Sequence, residues 1–237
     1  MSGLKLGVSQ QQPCNYLPDR QERLLFTLPD EPLDATFYQQ LLTLNFRRSG
    51  EQIYTTYCEG CQQCQSVRLE ATAFQLNSNQ RRLWNKAKRT SWRYQLVQHS
   101  KTKDCTEKYY ALYQSYIDTK HADSSMSPTS PEQMSYLWQA DWLKIQFLEQ
   151  YVGENLVAVT VVDTTADAFS AVYTFYQTGH ALAFGTLAIL ALIEQAKTEN
   201  VHFVYLGYYI QHCQKMSYKA KFLPQQRFIA GEWLSFR

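Results

Sequence analysis

Between Lys144 and Leu206 the sequence leaves little freedom of fold. Lys144–Val152, Leu156–Asp163 and Ala168–Tyr176 are three runs of strand length, separated only by the turns Gly153-Glu154-Asn155 and Thr164–Asp167. Turns this short join antiparallel neighbours, so the three runs predict a meander. After a break at Gly179 come Gly185-Thr186, an apolar helix from Leu187 to about Lys197, and a short buried strand from Val201 to Leu206. The class implied is α+β.

The rest of the chain is read from its periodicity. Ala35 to Asn45 predicts a helix carrying Phe37, Leu41, Leu42 and Leu44. Gln52–Thr56 and Ser66–Leu69 read as short strands, Asn79–Trp92 as a helix and Gln95–His99 as a strand. Glu107–Thr119 predicts a helix with Tyr109, Leu112, Tyr113, Tyr116 and Ile117 on one face. Ser130-Pro131-Glu132-Gln133 is a helix start, with Ser130 as cap, Pro131 in the first turn and Gln133 completing a capping box. Residues 1–13 are polar and read as loose. The 237 residues suit one large domain or two small ones, and a boundary near residue 100 is expected: 1–100 as an N-terminal region, 101–237 as the sheet module.

Three cysteines stand two residues apart at Cys58, Cys61 and Cys64, and Cys14 lies near the start of the chain. Overlapping Cys-x-x-Cys pairs aim thiolates at one point, and zinc or an iron–sulfur cluster takes about four ligands. Cys14 is the natural fourth. Such a site would be closed and structural. The alternative is a set of free, partly buried thiols. Six cysteines with no charged-then-apolar leader suggest a reducing cytoplasm, and no apolar stretch approaches the roughly 18 residues of a membrane span.

Net charge is only +2, but it is unevenly spread. No acid falls between Glu70 and Asp104, a stretch holding Arg81, Arg82, Lys86, Lys88, Arg89, Arg93, Lys101 and Lys103. On the expected helix Arg82, Lys86, Arg89 and Arg93 share one face. Exposed helices ordinarily interleave both signs, so a bare basic face points to phosphate. Lys215, Lys219, Lys221 and Arg227 form a second acid-free stretch between Glu199 and Glu232.

Gly185-Thr186 opens a helix directly after a strand, where free N–H groups favour an anion. Three antiparallel strands, a helix and a further strand resemble the acyltransferase fold of the acetyl-CoA-dependent N-acetyltransferases (GNAT). A single glycine in place of a Gly-rich pyrophosphate loop argues against CoA as donor.

Several runs together are more specific. They are Cys14-Asn15-Tyr16-Leu17-Pro18-Asp19-Arg20, Phe46-Arg47-Arg48-Ser49-Gly50, the cysteine triplet and Gln80-Arg81-Arg82. His121-Ala122-Asp123, Ser170–Phe175, Tyr205–Ile210 and Lys215–Phe222 follow in order. Together these resemble the bacterial aspartate/glutamate leucyltransferases, relatives of the eukaryotic arginyltransferases, from about Cys14 to Trp233. The resemblance implies transfer of leucine from leucyl-tRNA to the N-terminal Asp or Glu of proteins, which marks them for degradation. It implies no cofactor for transfer, and relatives in the arginyltransferase group have been linked to iron–sulfur clusters at the cysteines.

That reaction asks for a proton acceptor, with His121, Asp123 and Tyr218 as the expected catalytic groups. It also asks for cations to hold the acceptor's carboxylate, drawn from Arg20, Arg47, Arg48, Lys215, Lys219 and Lys221. Arg81, Arg82, Lys86, Arg89, Arg93, Gly185 and Thr186 are the expected tRNA contacts. A CoA-dependent N-acyltransferase and a metal-stapled, non-catalytic tRNA-binding adaptor are the competing readings.

Overall fold

A computed structural model describes residues 4–28, 32–99, 102–122 and 126–237, with backbone alone for 102–104. In chain order the elements are β1 (Leu6–Val8), β2 (Gln12–Pro13), β3 (Gln21–Glu22), β4 (Leu24–Thr27), α1 (Ala35–Thr43), β5 (Arg47–Ser49), β6 (Gln52–Thr56) and β7 (Gln65–Glu70). They continue with α2 (Ser78–Lys88), β8 (Trp92–Val97), α3 (Thr102–Lys120), α4 (Pro131–Ser135), β9 (Lys144–Val152), β10 (Asn155–Thr164) and β11 (Ala168–Tyr176). Last come α5 (Phe184–Thr198), β12 (Phe203–Tyr209), a 3-10 turn over Ser217–Lys221, β13 (Gln225–Ile229) and β14 (Glu232–Phe236).

An eight-stranded mixed sheet runs in the order β14-β13-β7-β12-β11-β10-β9-β8, beside a four-stranded sheet β1-β4-β6-β5 and the small pair β2-β3. The large sheet takes β7 and β8 from before residue 100, so a division there falls within it. The meander β9-β10-β11 is antiparallel as its short turns require. The α5 crossover then brings β12 in parallel to β11.

Alternating strand positions build two separate cores. Leu148, Ala158, Val162, Val67 and Leu69 face α5 and Trp84 of α2. Phe147, Val159, Val161 and Phe175 face Tyr109, Tyr113 and Ile117 of α3. The nearly continuous apolar run of α5 is explained by its burial, from Phe184 and Leu187 through Ile193 to Ala196. A third core lies under α1, where Tyr38, Leu41 and Leu42 meet Ile53 and Tyr205.

A buried ion pair ties the small sheet to the large one. Arg48 of β5 donates through Nε and Nη2 to Asp163 of β10, the closest contact being 2.6 Å, and neither side chain is exposed. Tyr38 of α1 donates to the same carboxylate at 2.9 Å. The other Arg48 donors meet Gly50 O at 2.7 Å and Leu137 O at 3.0 Å.

Local signals hold where they concern caps. Ser130 and Gln133 close a capping box with Pro131 behind it, and Asn77 and Gln80 form another at the start of α2. Three expectations change. The basic helix stops at Lys88, and Trp92 enters β8, where its indole donates to Gln150 at 3.1 Å. Helix α5 starts at Phe184, placing Gly185 and Thr186 inside its first turn. Residues 1–13, read as loose, contain β1 and β2, which tertiary pairing to β4 and β3 holds in place.

Candidate active site

Strands β11 and β12 pair only over Ala168–Ser170 and Phe203–Tyr205. Beyond that, β11 stays with β10 to Tyr176 and β12 stays with β7 to Tyr209, so the sheet parts down its middle. A register shift in β12 between Tyr205 and Gly207 helps turn the strand away. The opening is a cavity of about 650 Å³, within the range of small-molecule sites.

Its walls come from every part of the chain: Tyr116, Lys120 and His121 at the end of α3, Arg47 and Arg48 of β5, and Tyr173 and Tyr176 of β11. Phe184-Gly185-Thr186 of α5, Leu206-Gly207-Tyr208 of β12, and Lys215, Tyr218 and Lys219 complete it. The lining includes Arg47, Arg48, Lys120, Lys215 and Lys219, with no Asp or Glu among the described residues.

Two of these cations are buried without a carboxylate. Lys219, 7% exposed, donates to Tyr208 O, and its own carbonyl accepts from Gln225 Nε2 at 2.8 Å. Burial, then the Arg47 charge, lowers its pKa to about 8. Arg47, 5% exposed, has its guanidinium carbon 5.0 Å from the Tyr205 ring centre and 5.6 Å from that of Tyr208. Its Nη1 donates to Phe46 O at 2.6 Å, whereas Nε and Nη2 have no acceptor among the described residues. Buried donors left unmade cost about 1–3 kcal/mol each, and an anion at this wall would satisfy them. Arg48, by contrast, has donors engaged by Asp163, Gly50 and Leu137, a structural tie that accounts for its burial.

His121 lies at the other side, its ring packed on Tyr116 at 5.5 Å, with Tyr116 on Tyr176 at 4.9 Å. Burial first, then Lys215 and Lys120, push the imidazole below its ordinary 6.5, so it is neutral at pH 7 and able to take a proton. Tyr218 has an exposed ring. Burial of its hydroxyl end, then Tyr176, pushes it up to about 12, which suits a hydrogen-bond donor and not a base. Asp123 lies outside the described residues.

Gly185 has a packing reason: a Cβ there would stand 3.2 Å from the Tyr176 ring. Thr186 is half-buried in the same turn. Of the remaining cations, Arg20 lines the cysteine cavity and Lys221 is exposed outside both cavities, its carbonyl accepting from Gln80 Nε2 at 3.1 Å. Arg81, Arg82, Lys86 and Arg89 are exposed at α2, with Lys86 Nζ donating to Ala181 O at 3.0 Å on the lip of the large cavity. Arg93 leaves this face. As a β8 residue it stacks 4.2 Å above Tyr151 and pairs with Glu154 at 3.5 Å.

Cys14, Cys58, Cys61 and Cys64 line a second cavity of about 400 Å³. Gly60, at φ +66°, makes the turn in which Cys61 N–H reaches Cys58 O at 3.4 Å. The four-thiol set has the chemistry for zinc or iron, and burial, then Cys58, Cys14 and Cys61, raises Cys64 to about 12. No three His, Cys, Asp or Glu side chains converge at metal-holding range among the described residues. Tyr16, Tyr54 and Tyr208 wall both cavities, so the cysteine loop backs onto the large site.

Sequence reasoning missed His180, Lys120, Tyr116 and Tyr176, which carry no local motif and meet only through the split sheet.

Known proteins resemble this chain in sequence and in fold. The model of the arginine-tRNA-protein transferase N terminus matches residues 12–82, and that of the C terminus residues 108–229. The chain is 41% identical over 231 residues to the aspartate/glutamate leucyltransferase of Pseudoalteromonas atlantica, covering 97% of this chain and 96% of that one. It is 36% identical over 230 residues to that of Vibrio vulnificus, with the same coverage of 97% and 96%. Among solved structures, L-PGS from Bacillus licheniformis shares the fold at a TM-score of 0.56 and 13% identity, over 73% of this chain and 60% of that chain. A putative lysylphosphatidylglycerol synthetase C-terminal domain from Agrobacterium fabrum gives 0.53 and 11%, over 73% and 58%. With both halves of its family model matched in order and relatives aligned over nearly its whole length, the chain belongs to the arginine-tRNA-protein transferase family, among the aspartate/glutamate leucyltransferases.

Proposed function

We propose that the chain transfers leucine from leucyl-tRNA to the N-terminal Asp or Glu of proteins, in the cavity between β11 and β12, on a GNAT-like sheet. The observation that carries this is the lining: buried Arg47 and Lys219 offer charge to a carboxylate, and no Asp or Glu among the described residues lines the cavity. An acidic acceptor finds its partner there. An arginyl side chain on the donor would find only like charge, whereas leucine fits Leu182, Ile189 and Leu206.

The chemistry is light. The donor ester is already activated, and an α-amine has a pKa of about 7.7–8.0, so part of it is neutral at pH 7. The neutral amine attacks the ester carbonyl. Neutral His121 takes one amine proton, the Tyr218 hydroxyl donates to the developing oxyanion, and the C–O bond to the ribose breaks as that oxygen gains a proton. Asp123 stays, with His121, a proposed proton-handling group. Arg82, Lys86 and Arg89 take the acceptor-stem phosphates, a sequence-independent contact.

Cys14, Cys58, Cys61 and Cys64 would hold zinc or an iron–sulfur cluster, as a clamp on the N-terminal region that takes no part in the chemical step. A cytoplasmic location is part of this proposal; no described helix is long and apolar enough to cross a membrane.

The deciding experiment offers labelled leucyl-tRNA with peptides beginning in Asp, Glu or Arg. Transfer to the first two alone is expected. Acyl transfer from acyl-CoA without tRNA, or tRNA binding without transfer to any peptide, would overturn the reading.

A further inference from the structure

His180 stands on the lip of the large cavity, just before α5. Its exposed ring lies over Phe184, centres 4.7 Å apart and planes inclined by 24°. Phe184 is fully buried in the core, so the ring rests on a rigid base. The Leu182 N–H donates to His180 Nδ1 at 3.1 Å, which fixes the rotation of the imidazole. One face of a flat, oriented ring is thus covered while the residue stays open to water. The same lip is touched from the other side by the basic helix, through Lys86 Nζ and Ala181 O. A path therefore runs from the exposed cations of α2, over the lip, into the cavity.

We propose that His180, backed by Phe184, is the stacking platform for the terminal adenine of the donor tRNA, a positioning residue that delivers the ester into the cavity. Every tRNA ends in adenosine bearing the amino acid, and aromatic rings hold unpaired bases by stacking. This rests on the transfer reaction proposed above, for it is the aminoacylated base that must sit at the cavity mouth. The simpler role, an acceptor that shapes the lip turn, is separable. His180→Phe keeps a ring and removes the acceptor. His180→Asn keeps an acceptor and removes the ring.

The test uses the full chain and leucylated tRNA. His180→Asn should raise KM for leucyl-tRNA on the order of tenfold, with peptide KM unchanged, while His180→Phe stays near wild type. A tRNA carrying 2-aminopurine at its last position should lose fluorescence on binding wild type and His180→Phe, but not His180→Asn. The reverse ranking, or a bound tRNA whose 2-aminopurine stays bright with wild type, overturns the platform even if leucine transfer proceeds. Coenzyme A, which also carries an adenine, is the competing source: if it displaces the quenched tRNA at micromolar concentration, the platform serves a nucleotide cofactor and the proposal fails. Absence of transfer by wild type with the quench intact would remove the reaction and leave base stacking standing as a tRNA-binding device.

Discussion

Arg47 and Lys219 are two buried cations in one wall, close enough that the charge of the first helps lower the pKa of the second to about 8. Like charges in a desolvated wall are unfavourable until an anion joins them. The acceptor's carboxylate is the anion proposed for them, and its contribution would appear only in the complex.

Removing one cation therefore acts on acceptor binding. Lys219→Ala should raise KM for Asp- and Glu-initiated peptides by about 30-fold or more, the scale of a truncated buried charge pair. KM for leucyl-tRNA should stay near wild type. Steady-state kinetics with each substrate varied in turn checks this, and equal losses on both would move Lys219 from the acid pocket to tRNA binding.

The pH profile of kcat/KM for the acceptor has a definite sign. The acceptor amine must be neutral, so the rate climbs as pH rises through about 7.7–8.0. Lys219 must be charged, so binding weakens as pH rises through about 8. The profile is a bell near pH 8 in wild type, because kcat/KM reports free enzyme and free substrate. In Lys219→Ala the alkaline limb should disappear and the acid limb persist. An unchanged alkaline limb would assign it to another group.

His121 should show itself in kcat. His121→Gln removes the proton acceptor and should lower kcat by about a hundredfold or more, with acceptor KM little changed. Since burial and two lysines hold His121 below 6.5, wild-type kcat falls only as pH drops beneath that value. Single-turnover transfer at pH 7 checks the first statement. A kcat within threefold of wild type would exclude His121 from the proton transfer.

Much of this was legible from local rules and some was not. The meander was readable because its turns are short, and the Ser130 cap because its partners lie within four residues. The basic helix was read too long because Trp92 and Arg93 continue its helical spacing, yet the Trp92 indole is claimed by Gln150 across the sheet. Strands β13 and β14 have weak alternation; they pair with each other, and β13 is held by β7, remote in sequence. At the site, Arg47 and Lys219 stood out by type alone. Nothing local distinguishes Arg47 from Arg48, which Asp163, 115 residues away, converts into a strut.

That strut carries a stability prediction. Asp163→Asn leaves Arg48 buried beside a neutral group and weakens its bond to Tyr38, so unfolding free energy should fall by about 3–5 kcal/mol. Urea denaturation measures it, and a loss under about 1 kcal/mol would show that the site relaxes or hydrates. Transfer per folded molecule should stay close to wild type.

Glu149 predicts where acid unfolds the protein. Burial alone would raise its pKa, but hydrogen bonds from Lys108 at 2.5 Å, from Tyr109, from Tyr151 at 2.6 Å and from Gln95 at 2.9 Å outweigh it and hold the carboxyl at about 2. A depressed carboxyl adds stability that is whole above the unfolded value near 4.5 and lost as pH falls towards 2. The window is on the order of 3 kcal/mol wide, from 1.4 kcal/mol per pKa unit. In Glu149→Gln the slope of unfolding free energy against pH should flatten between about 4.5 and 2, and an unchanged slope would place the acid sensitivity elsewhere.

The cysteine loop makes the last prediction, through the residues it shares with the large cavity. Tyr16, Tyr54 and Tyr208 wall both spaces, and Tyr208 also supplies the carbonyl that holds Lys219. If a cation joins Cys14, Cys58, Cys61 and Cys64, removing one thiolate frees the loop and disturbs that wall, while His121 on the far side is untouched. Cys64→Ser should therefore lose about one zinc or one cluster per chain, raise acceptor KM severalfold, and leave kcat near wild type. Elemental analysis and absorption spectra of protein isolated without oxygen, followed by kinetics on the same sample, test both halves. Wild type free of metal and of cluster would remove the clamp. A metal lost with no change in acceptor KM would keep the clamp and cut its link to Lys219.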